Sequence, residues 1–223
     1  ITTRLVGSEM CIRDRYKLPI GCDVPETIIL ADGDFPSHPL ALEWLRQCPY
    51  VVCCDGAANT YIRSGRMPEA IVGDGDSLLP DIKERYASLI HSEAEQETND
   101  LSKAFRFCLS QERKRITIMG ATGKREDHTI GNVSLLADYM EQAEVSMMTD
   151  YGIFVPIRED SMFESYIGQQ ISVFNMNSTA LSAEGLAYPL SVFTNWWQGT
   201  LNEALARHFI IRTEGKVLVF RVF

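Results

Sequence analysis

Two aspartates one residue apart, Asp74 and Asp76, stand in a turn of sequence Gly-Asp-Gly-Asp-Ser at residues 73–77. Carboxylates this close repel each other unless a cation holds them, and the glycines let the backbone turn sharply and let a charged ligand approach. A D-x-D pair at the end of a predicted strand therefore favours a site for a hard divalent ion, most often Mg²⁺ carried on phosphates. The alternative is a polar turn with solvated acids.

A glycine loop, Gly-Ala-Thr-Gly-Lys-Arg-Glu-Asp-His at residues 120–128, follows another predicted strand. It lacks the P-loop pattern, because Ile118 stands where a glycine is required and Arg125 where serine or threonine is required. A glycine loop that leads into a helix near Asp127, with a guanidinium nearby, still makes an anion cradle. His128 taken alone is more often a structural histidine than a catalytic one.

Asp100 and Lys103 lie three residues apart in the first turns of a helix predicted over residues 98–109, with Thr98 as its N-cap, so they share one face. One interpretation is a surface ion pair, which the spacing alone favours. The other is a further metal carboxylate beside a lysine that neutralises phosphate.

The apolar runs predict the elements that position these residues. Strands are expected at 27–31, 50–54, 70–72, 115–119 and 145–148, and helices at 39–47, 57–64, 79–88, 98–109 and 129–140. Strands that alternate with helices indicate an open, mostly parallel α/β/α sheet. Ligands bind beyond the carboxyl ends of such strands, where the acidic and glycine clusters of this chain fall.

The pattern changes after residue 148. Short strands are predicted at 153–155, 170–174, 180–183, 208–212 and 216–220, with Glu214 and Gly215 as a tight hairpin link between the last two. Since there is no room for crossover helices, a smaller antiparallel β-sandwich domain is expected at residues 149–223. The α/β domain is expected at residues 16–148. Residues 1–15 resemble translated cloning or sequencing-adapter sequence, with a disordered native extension as the alternative.

The composition narrows the class of protein. The 223 residues include 45% hydrophobic and 23% charged residues, which is ordinary for globular domains, and the net charge of −9 argues against binding to a nucleic-acid backbone. No apolar run approaches the roughly 18 residues of a membrane span. The six cysteines show no C-x-x-C pair, so we interpret them as small buried hydrophobes. A soluble cytoplasmic protein is expected.

Taken together, the motifs resemble the ordered set of the thiamine pyrophosphokinase family. The resemblance covers about residues 27 to 220. It is carried by Cys-Asp-Gly-Ala-Ala-Asn at 54–59, the acidic turn at 73–77, Glu-Thr-Asn-Asp-Leu-Ser-Lys-Ala at 97–104, the glycine loop at 120–128 followed by Asn132, and the motifs at 184–190 and 199–203. Each motif is weak alone, and six in the same order are specific.

The resemblance implies transfer of the diphosphoryl group of ATP to the hydroxyl of thiamine, which gives thiamine diphosphate and AMP, with Mg²⁺ as cofactor. By this resemblance Asp74, Asp76 and Asp100 hold the metal, and Asp55 supports them. Lys103 and Arg125 neutralise phosphate oxygens, while Asp127 and His128 orient the loop. The nucleotide site further includes Asn59, Ser77, Gly120, Thr122 and Gly123.

The resemblance also implies a homodimer in which thiamine lies at the interface, under the β domain of the partner chain. Thr200, Asn202 and either Trp196 or Trp197 are the expected contacts, since a cationic thiazolium can stack on an indole. Core packing is the alternative for the two tryptophans.

This chain departs from the family at two positions. Leu201 stands where the family commonly has serine, and Asn99 stands where it often has threonine. The first departure keeps open another Mg²⁺-dependent phosphotransferase or a nucleotide hydrolase. A non-catalytic nucleotide or thiamine sensor is a further alternative, which the intact acids at 74, 76 and 100 argue against.

Overall fold

A computed structural model describes residues 12, 14–19, 23–93 and 97–223. These residues form two compact units, an α/β unit of residues 23–151 and a β unit that combines residues 14–19 with residues 152–223. The chain passes from the α/β unit to the β unit between Tyr151 and Gly152. Most of the leader expected at residues 1–15 lies outside the described residues.

The α/β unit is built on six parallel strands that alternate with helices. The first strand of the chain, β1 (Asp14–Tyr16), belongs to the other unit. The six strands are β2 (Thr27–Leu30), β3 (Val51–Cys54), β4 (Ala70–Gly73), β5 (Ile90–Ser92), β6 (Arg115–Met119) and β7 (Glu144–Met148). The helices are α1 (Pro39–Gln47), α2 (Ala57–Arg63), α3 (Pro80–Arg85), α4 (Asp100–Ser110) and α5 (Glu126–Tyr139). The predicted open parallel α/β sheet is therefore confirmed.

The central strands are continuous apolar runs because both faces of the sheet are covered. Every residue of β2, β3 and β4 is buried. The strand order is β7-β6-β2-β3-β4-β5, and each neighbouring pair is parallel. The chain runs outward from β2 to β5 and then returns to β6 on the other side of β2. The gap between the carboxyl ends of β2 and β6 is thus the point where the strand order reverses.

The α4 helix packs its apolar stripe against β3 and β4, and the Phe105 ring stacks on Tyr139 of α5 at a centroid distance of 3.9 Å. The sequence pattern missed β5, because this three-residue edge strand has only one apolar residue, Ile90. The helix expected at 79–88 is divided into α3 and a 3₁₀ turn, Ala87–Leu89. Both corrections lie far from the reversal point.

The strands of the β unit form two groups of four hydrogen-bonded neighbours, and the predicted smaller antiparallel β domain is confirmed. Its further strands are β8 (Gly152–Ile157), β9 (Ser161–Glu164), β10 (Gln170–Asn175), β11 (Leu181–Glu184), β12 (Asn202–Glu203), β13 (His208–Thr213) and β14 (Val217–Val222). One sheet has the order β1-β9-β13-β11, and β12-β10-β14-β8 are neighbours in the other. The predicted hairpin at Glu214 and Gly215 is wrong. Strands β13 and β14 do not pair, so this turn carries the chain from one sheet to the other.

Strand β1 belongs to the β unit, although its residues were assigned to the leader and to the α/β domain. It pairs in parallel with β9, and the ring of Tyr16 stacks on Phe163 at 4.8 Å. The buried Arg221 guanidinium donates to the carbonyls of Glu164 and Lys17, each at 3.0 Å. Burial lowers the pKa of Arg221 to about 10. The arginine thus ties residue 17 to the last strand of the chain.

Among the helices of the described ranges, none is long and apolar enough to cross a membrane.

Asp150 holds the segment that precedes α1. Its carboxylate accepts hydrogen bonds from the amides of Ser37 at 2.8 Å and His38 at 2.9 Å, and from the Ser37 hydroxyl. Burial favours the neutral acid, but these hydrogen bonds outweigh it and leave the pKa of Asp150 lowered. A lowered pKa in the folded state means that the carboxylate stabilises the fold above its unfolded pKa and ceases to do so at acid pH.

We expect Asp150→Asn to lower the free energy of unfolding by about 1 kcal/mol at pH 7, a modest value because the group is partly solvated. The difference from the unmodified protein should shrink as the pH falls below about 4. Urea unfolding at pH 7, 5 and 3.5 measures it, with the exposed Asp138→Asn as control. A difference that is constant with pH would contradict the role of the charge.

Candidate active site

A cleft of about 480 Å³ lies in the α/β unit at the point where the strand order reverses. The last residue of β3 and residues that follow β2, β4 and β6 line it, together with the first turns of α4 and α5. The lining residues are Ala31, Asp32, Gly33, Cys54, Asp74, Thr98, Asn99, Asp100, Leu101, Lys103, Ala121, Gly123, Lys124, Arg125, His128 and Asn132. Four separate sequence motifs thus meet in one place.

The glycine loop after β6 is held against the turn after β2. The Gly33 amide donates to the Gly120 carbonyl at 2.6 Å, and the Asp34 amide donates to the Thr122 carbonyl at 2.9 Å. A Cβ at Gly33 would lie 2.3 Å from the Thr122 carbonyl oxygen. Gly120 and Gly123 have φ values of +64° and +78°, which a side chain disfavours. These glycines fix the loop's shape, while Gly123 itself lines the cleft.

Asp55 is a buried carboxylate at the end of β3. One of its oxygens, Oδ2, accepts a hydrogen bond from the Ser77 amide at 3.0 Å, and the other, Oδ1, is buried without a hydrogen-bond partner. Burial raises the pKa of Asp55, and the charges of Asp100 and Asp74 raise it further. Its backbone has a φ of +33°, which is uncommon for a residue with a side chain. A strained acid with an unpaired oxygen is a typical feature of a ligand site.

Close approach of the three acidic segments depends on Gly73. A Cβ at this position would lie 2.8 Å from the Asp55 Cβ and 3.4 Å from the Asp100 carboxyl carbon. Asp74 and Asp76 are both exposed, but only Asp74 lines the cleft. The Asp76 amide donates a hydrogen bond to Asp74 Oδ1 at 3.1 Å. Within the described part of the chain, no three His, Cys, Asp or Glu side chains form a preassembled metal site.

The first turn of α4 presents a carboxylate and an ammonium to the cleft. Asp100 Oδ1 accepts a hydrogen bond from Lys103 Nζ at 3.1 Å. The lysine side chain is only 4% exposed, so this is not the surface ion pair that the spacing favoured. The N-cap is Asn99, whose Oδ1 accepts from the Ser102 amide at 3.0 Å, and the prediction of Thr98 as cap is wrong. The Thr98 hydroxyl accepts from Arg106 instead.

The basic residues of the glycine loop, which forms the wall of the cleft opposite α4, are exposed. Arg125 pairs with Asp127 at 2.6 Å, and Lys124 donates to Asp32 Oδ1 at 3.1 Å. Arg125, Lys124 and His128 line the cleft, whereas Asp127 acts behind Arg125 and is not part of the lining. The ion pair with Arg125 lowers the pKa of Asp127. The arrangement leaves cations facing the acids across the cleft.

Asn59 and Ser77 shape the acidic turn. Asn59 donates to the Ser77 carbonyl at 2.8 Å and accepts from the Leu79 amide at 3.0 Å. Because Ser77 also donates its amide to Asp55, the turn after β4 is fixed to both α2 and β3. Neither residue lines the cleft, so their contacts support the turn from outside it.

The thiamine contacts expected in the β unit lie on one short segment. Trp196 and Trp197 belong to the 3₁₀ turn Trp196–Gly199, with exposures of 42% and 73%. The ring of Trp196 meets Phe174 edge-on at 6.0 Å, so it is partly packed, whereas Trp197 projects outward. The Thr200 hydroxyl donates to the Trp197 carbonyl at 2.7 Å.

Asn202 and Leu201 follow this turn. The Asn202 side chain is buried, exchanges hydrogen bonds with the backbone of Tyr188 at 3.0 and 2.8 Å, and accepts from the Glu203 amide. Leu201 is 76% exposed and has a φ of +62°, an outlier for a residue of its size. Asn202 therefore holds a strained, exposed leucine in place.

Sequence reasoning did not assign roles to four residues that line the cleft, namely Asp32, Asn99, Lys124 and Asn132. Asp32 follows β2 beside the reversal point, at one of the strand ends where the sequence predicts the acidic clusters. Both asparagines belong to the family motifs, but the contact between them gave no local signal, because they lie 33 residues apart.

The fold and the cleft define the class of protein. An open parallel sheet that carries a glycine loop and acidic turns where its strand order reverses is typical of α/β proteins that bind phosphate-bearing ligands beyond the strand ends. Residues 41–148 match the family described as "Thiamin pyrophosphokinase, catalytic domain", and residues 152–220 match "Thiamin pyrophosphokinase, substrate-binding domain". The chain belongs to the thiamin pyrophosphokinase family.

Individual relatives agree with this membership. Thiamine pyrophosphokinase 1 of Oryza sativa subsp. japonica is 30% identical in an alignment 129 residues long, which covers 47% of this chain and 49% of that protein. Thiamine pyrophosphokinase of Bacillus subtilis (strain 168) is 34% identical over 86 residues, 37% of this chain and 40% of the relative. In such matches the chain spans about half the length of its curated relatives, or less.

Solved structures show the same fold over nearly the whole chain. The yeast thiamin pyrophosphokinase crystal structure has a TM-score of 0.77 at 18% identity and covers 95% of this chain and 92% of its own. The Bacillus subtilis thiamine pyrophosphokinase structure has a TM-score of 0.74 at 21% identity, and the match covers 88% of this chain and 98% of that structure's chain. At these identities the likeness concerns the fold alone.

Proposed function

We propose that this protein is a thiamine diphosphokinase, which transfers the diphosphoryl group of ATP to the hydroxyl of thiamine and releases AMP. The observation that carries the proposal is the meeting of Asp74, Asp100 and the buried Lys103 with the glycine loop in one cleft. Diphosphoryl transfer needs placement and charge stabilisation more than covalent chemistry. The relatives' names supply the acceptor.

The donor set fits Mg²⁺. The ion usually binds one or two carboxylates and completes its shell with phosphate oxygens and water, so a cage of protein ligands is not required. We propose Asp74, Asp76 and Asp100 as its carboxylates. The buried and unpaired Oδ1 of Asp55 supports them as a neighbouring acceptor. When bound, the metal would neutralise charge on the phosphates of ATP.

The cations of the chain act on the same phosphates. Lys103 is held beside Asp100 and its side chain is only 4% exposed. Its ammonium therefore attracts a nearby anion more strongly than it would in water. Arg125 faces the cleft with Asp127 behind it, so its guanidinium is oriented for an anion. The backbone of the glycine loop completes the cradle, and His128 lines it nearby.

We further propose that thiamine is bound by Trp197, Trp196 and Thr200, in a homodimer whose interface contains the site. The exposed indole of Trp197 offers a face for a cationic thiazolium. Asn202 has its hydrogen bonds directed to the backbone, so we assign it to the support of this surface. A cytoplasmic location stays a prediction.

Incubation of the purified protein with ATP, Mg²⁺ and thiamine tests the proposal. We expect one AMP for each thiamine diphosphate and no product when thiamine is left out, both read by chromatography. Failure to form AMP in proportion to thiamine diphosphate would contradict the assignment. Release of ADP or phosphate without thiamine would indicate a nucleotide hydrolase.

A second candidate is a phosphotransferase with another alcohol as acceptor. It is favoured by Leu201, which places an exposed apolar side chain in a strained conformation beside Thr200. The same assay with a panel of hydroxyl-bearing heterocycles separates the two. AMP formation that depends on a different alcohol would favour this candidate.

A further inference from the structure

Two asparagines connect opposite walls of the cleft. Asn99 Nδ2 donates to Asn132 Oδ1 at 3.1 Å, and Asn132 Nδ2 donates to the Ala121 carbonyl at 2.9 Å. Asn99 stands at the start of α4, Asn132 lies in the second turn of α5, and Ala121 belongs to the glycine loop. A third hydrogen bond, from the Ser102 amide to Asn99 Oδ1, caps α4. The three bonds form a chain from the α4 helix to the loop after β6.

Both ends of each amide group are used. Asn99 Oδ1 accepts from the Ser102 amide and so caps α4, while its NH₂ group remains available for Asn132. Threonine at this position could also cap the helix, but its hydroxyl is shorter and would leave Asn132 Oδ1 without this donor. The departure from threonine at position 99 thus adds a contact rather than shifting the cap.

The connection matters because of what each wall carries. The first turn of α4 holds Asp100 and Lys103, directly after the cap, and the loop presents Gly123 and Arg125. Groups that act on one phosphate chain must be held at a fixed separation.

We propose that Asn99 and Asn132 are positioning residues, which set the distance between the α4 carboxylate and lysine and the glycine loop during diphosphoryl transfer. The inference rests on the proposed function. Since Asn99 is exposed, the connection contributes little to global stability, and its effect should be on the placement of reacting groups. A small displacement of a catalytic group is enough to lower a rate by up to about a hundredfold.

Kinetics of Asn99→Thr and Asn132→Leu test this role. Each variant should lower kcat about tenfold and leave the KM for thiamine within about twofold, because the groups that it displaces act on phosphate. The double variant should be no slower than the slower single variant, since either change breaks the same chain. Ser134→Ala, which removes a hydrogen bond inside α5 two residues further on, is the matched control and should keep the unmodified rate.

A second measurement does not depend on turnover. In ¹H–¹⁵N spectra, Asn99→Thr should shift the amide resonances of Ala121 and Gly123, and Asn132→Leu should shift the same resonances, whereas Ser134→Ala should not. If the loop resonances shift but the unmodified protein does not convert thiamine, the proposed function is overturned and the connection between the two walls is retained. Unchanged loop resonances, unmodified kcat in Asn99→Thr, or additive losses in the double variant would overturn the inference.

Discussion

Replacing Asp100 with asparagine is expected to lower kcat for the proposed formation of thiamine diphosphate by about a thousandfold. The asparagine has the same shape and can still accept the hydrogen bond from Lys103, so the first turn of α4 should keep its structure. The negative charge is lost, and with it the attraction that we propose for Mg²⁺ on the phosphates of ATP. Steady-state rates at saturating ATP, with Mg²⁺ varied, measure the effect.

The control is Asp138→Asn, an exposed acid near the end of α5 that lies outside the cleft. It should keep the unmodified rate, which separates a local effect from a change of net charge. The melting temperature of Asp100→Asn should stay close to that of the unmodified protein. A well-folded Asp100→Asn variant that retains most of its rate would contradict the assignment of Asp100 to the metal.

The sequence predicted the α/β unit well because its strands are buried on both faces. Strand β3 is apolar throughout, β2 is apolar after Thr27, and β6 is apolar after Arg115 except for Thr117. Each is followed within two residues by glycine or aspartate. Strand ends and candidate functional residues therefore coincide in the sequence, which predicts that Asp74 and the glycine loop lie at one edge of the sheet.

Short edge elements were missed for the opposite reason. Strand β5 has one apolar residue, and β12 has two residues in all, so neither shows a period. The turn at Glu214 and Gly215 has the composition of a hairpin, but β13 and β14 pair with other strands. The local sequence does not show which distant strand will be the partner. The same applies to β1, whose partner β9 is about 150 residues away.

The sequence proposes the acids of the candidate site but gives no sign of the contacts that position them. Asp100 and Lys103 looked like a surface pair because spacing says nothing about burial, and only the packing of α4 on β3 and β4 removes the lysine from water. The asparagine connection depends on two helices that meet in space. Such contacts follow from tertiary structure and are beyond a reading of local pattern.

Replacing Gly33 with alanine is expected to disrupt the reversal point of the sheet. The added Cβ would lie 2.3 Å from the Thr122 carbonyl oxygen and 2.4 Å from that of Gly120, and backbone atoms cannot rotate away as a flexible side chain would. The turn after β2 and the glycine loop must move apart, which breaks the 2.6 Å hydrogen bond from the Gly33 amide. We expect a loss of about 3 kcal/mol in the free energy of unfolding and about a hundredfold in kcat/KM.

Urea unfolding and steady-state kinetics at a temperature where the variant is fully folded measure both effects. Gly131→Ala is the matched control, because Gly131 lies in α5 with nothing within 4 Å of an added Cβ. Alanine should stabilise this helical position by about 0.5–1 kcal/mol. If Gly33→Ala behaved like Gly131→Ala, the two loops would not be in the contact that shapes the cleft. A large loss of activity in the folded Gly33→Ala variant would instead show that phosphate transfer depends on the separation of these loops, because no chemical group of the site has been removed.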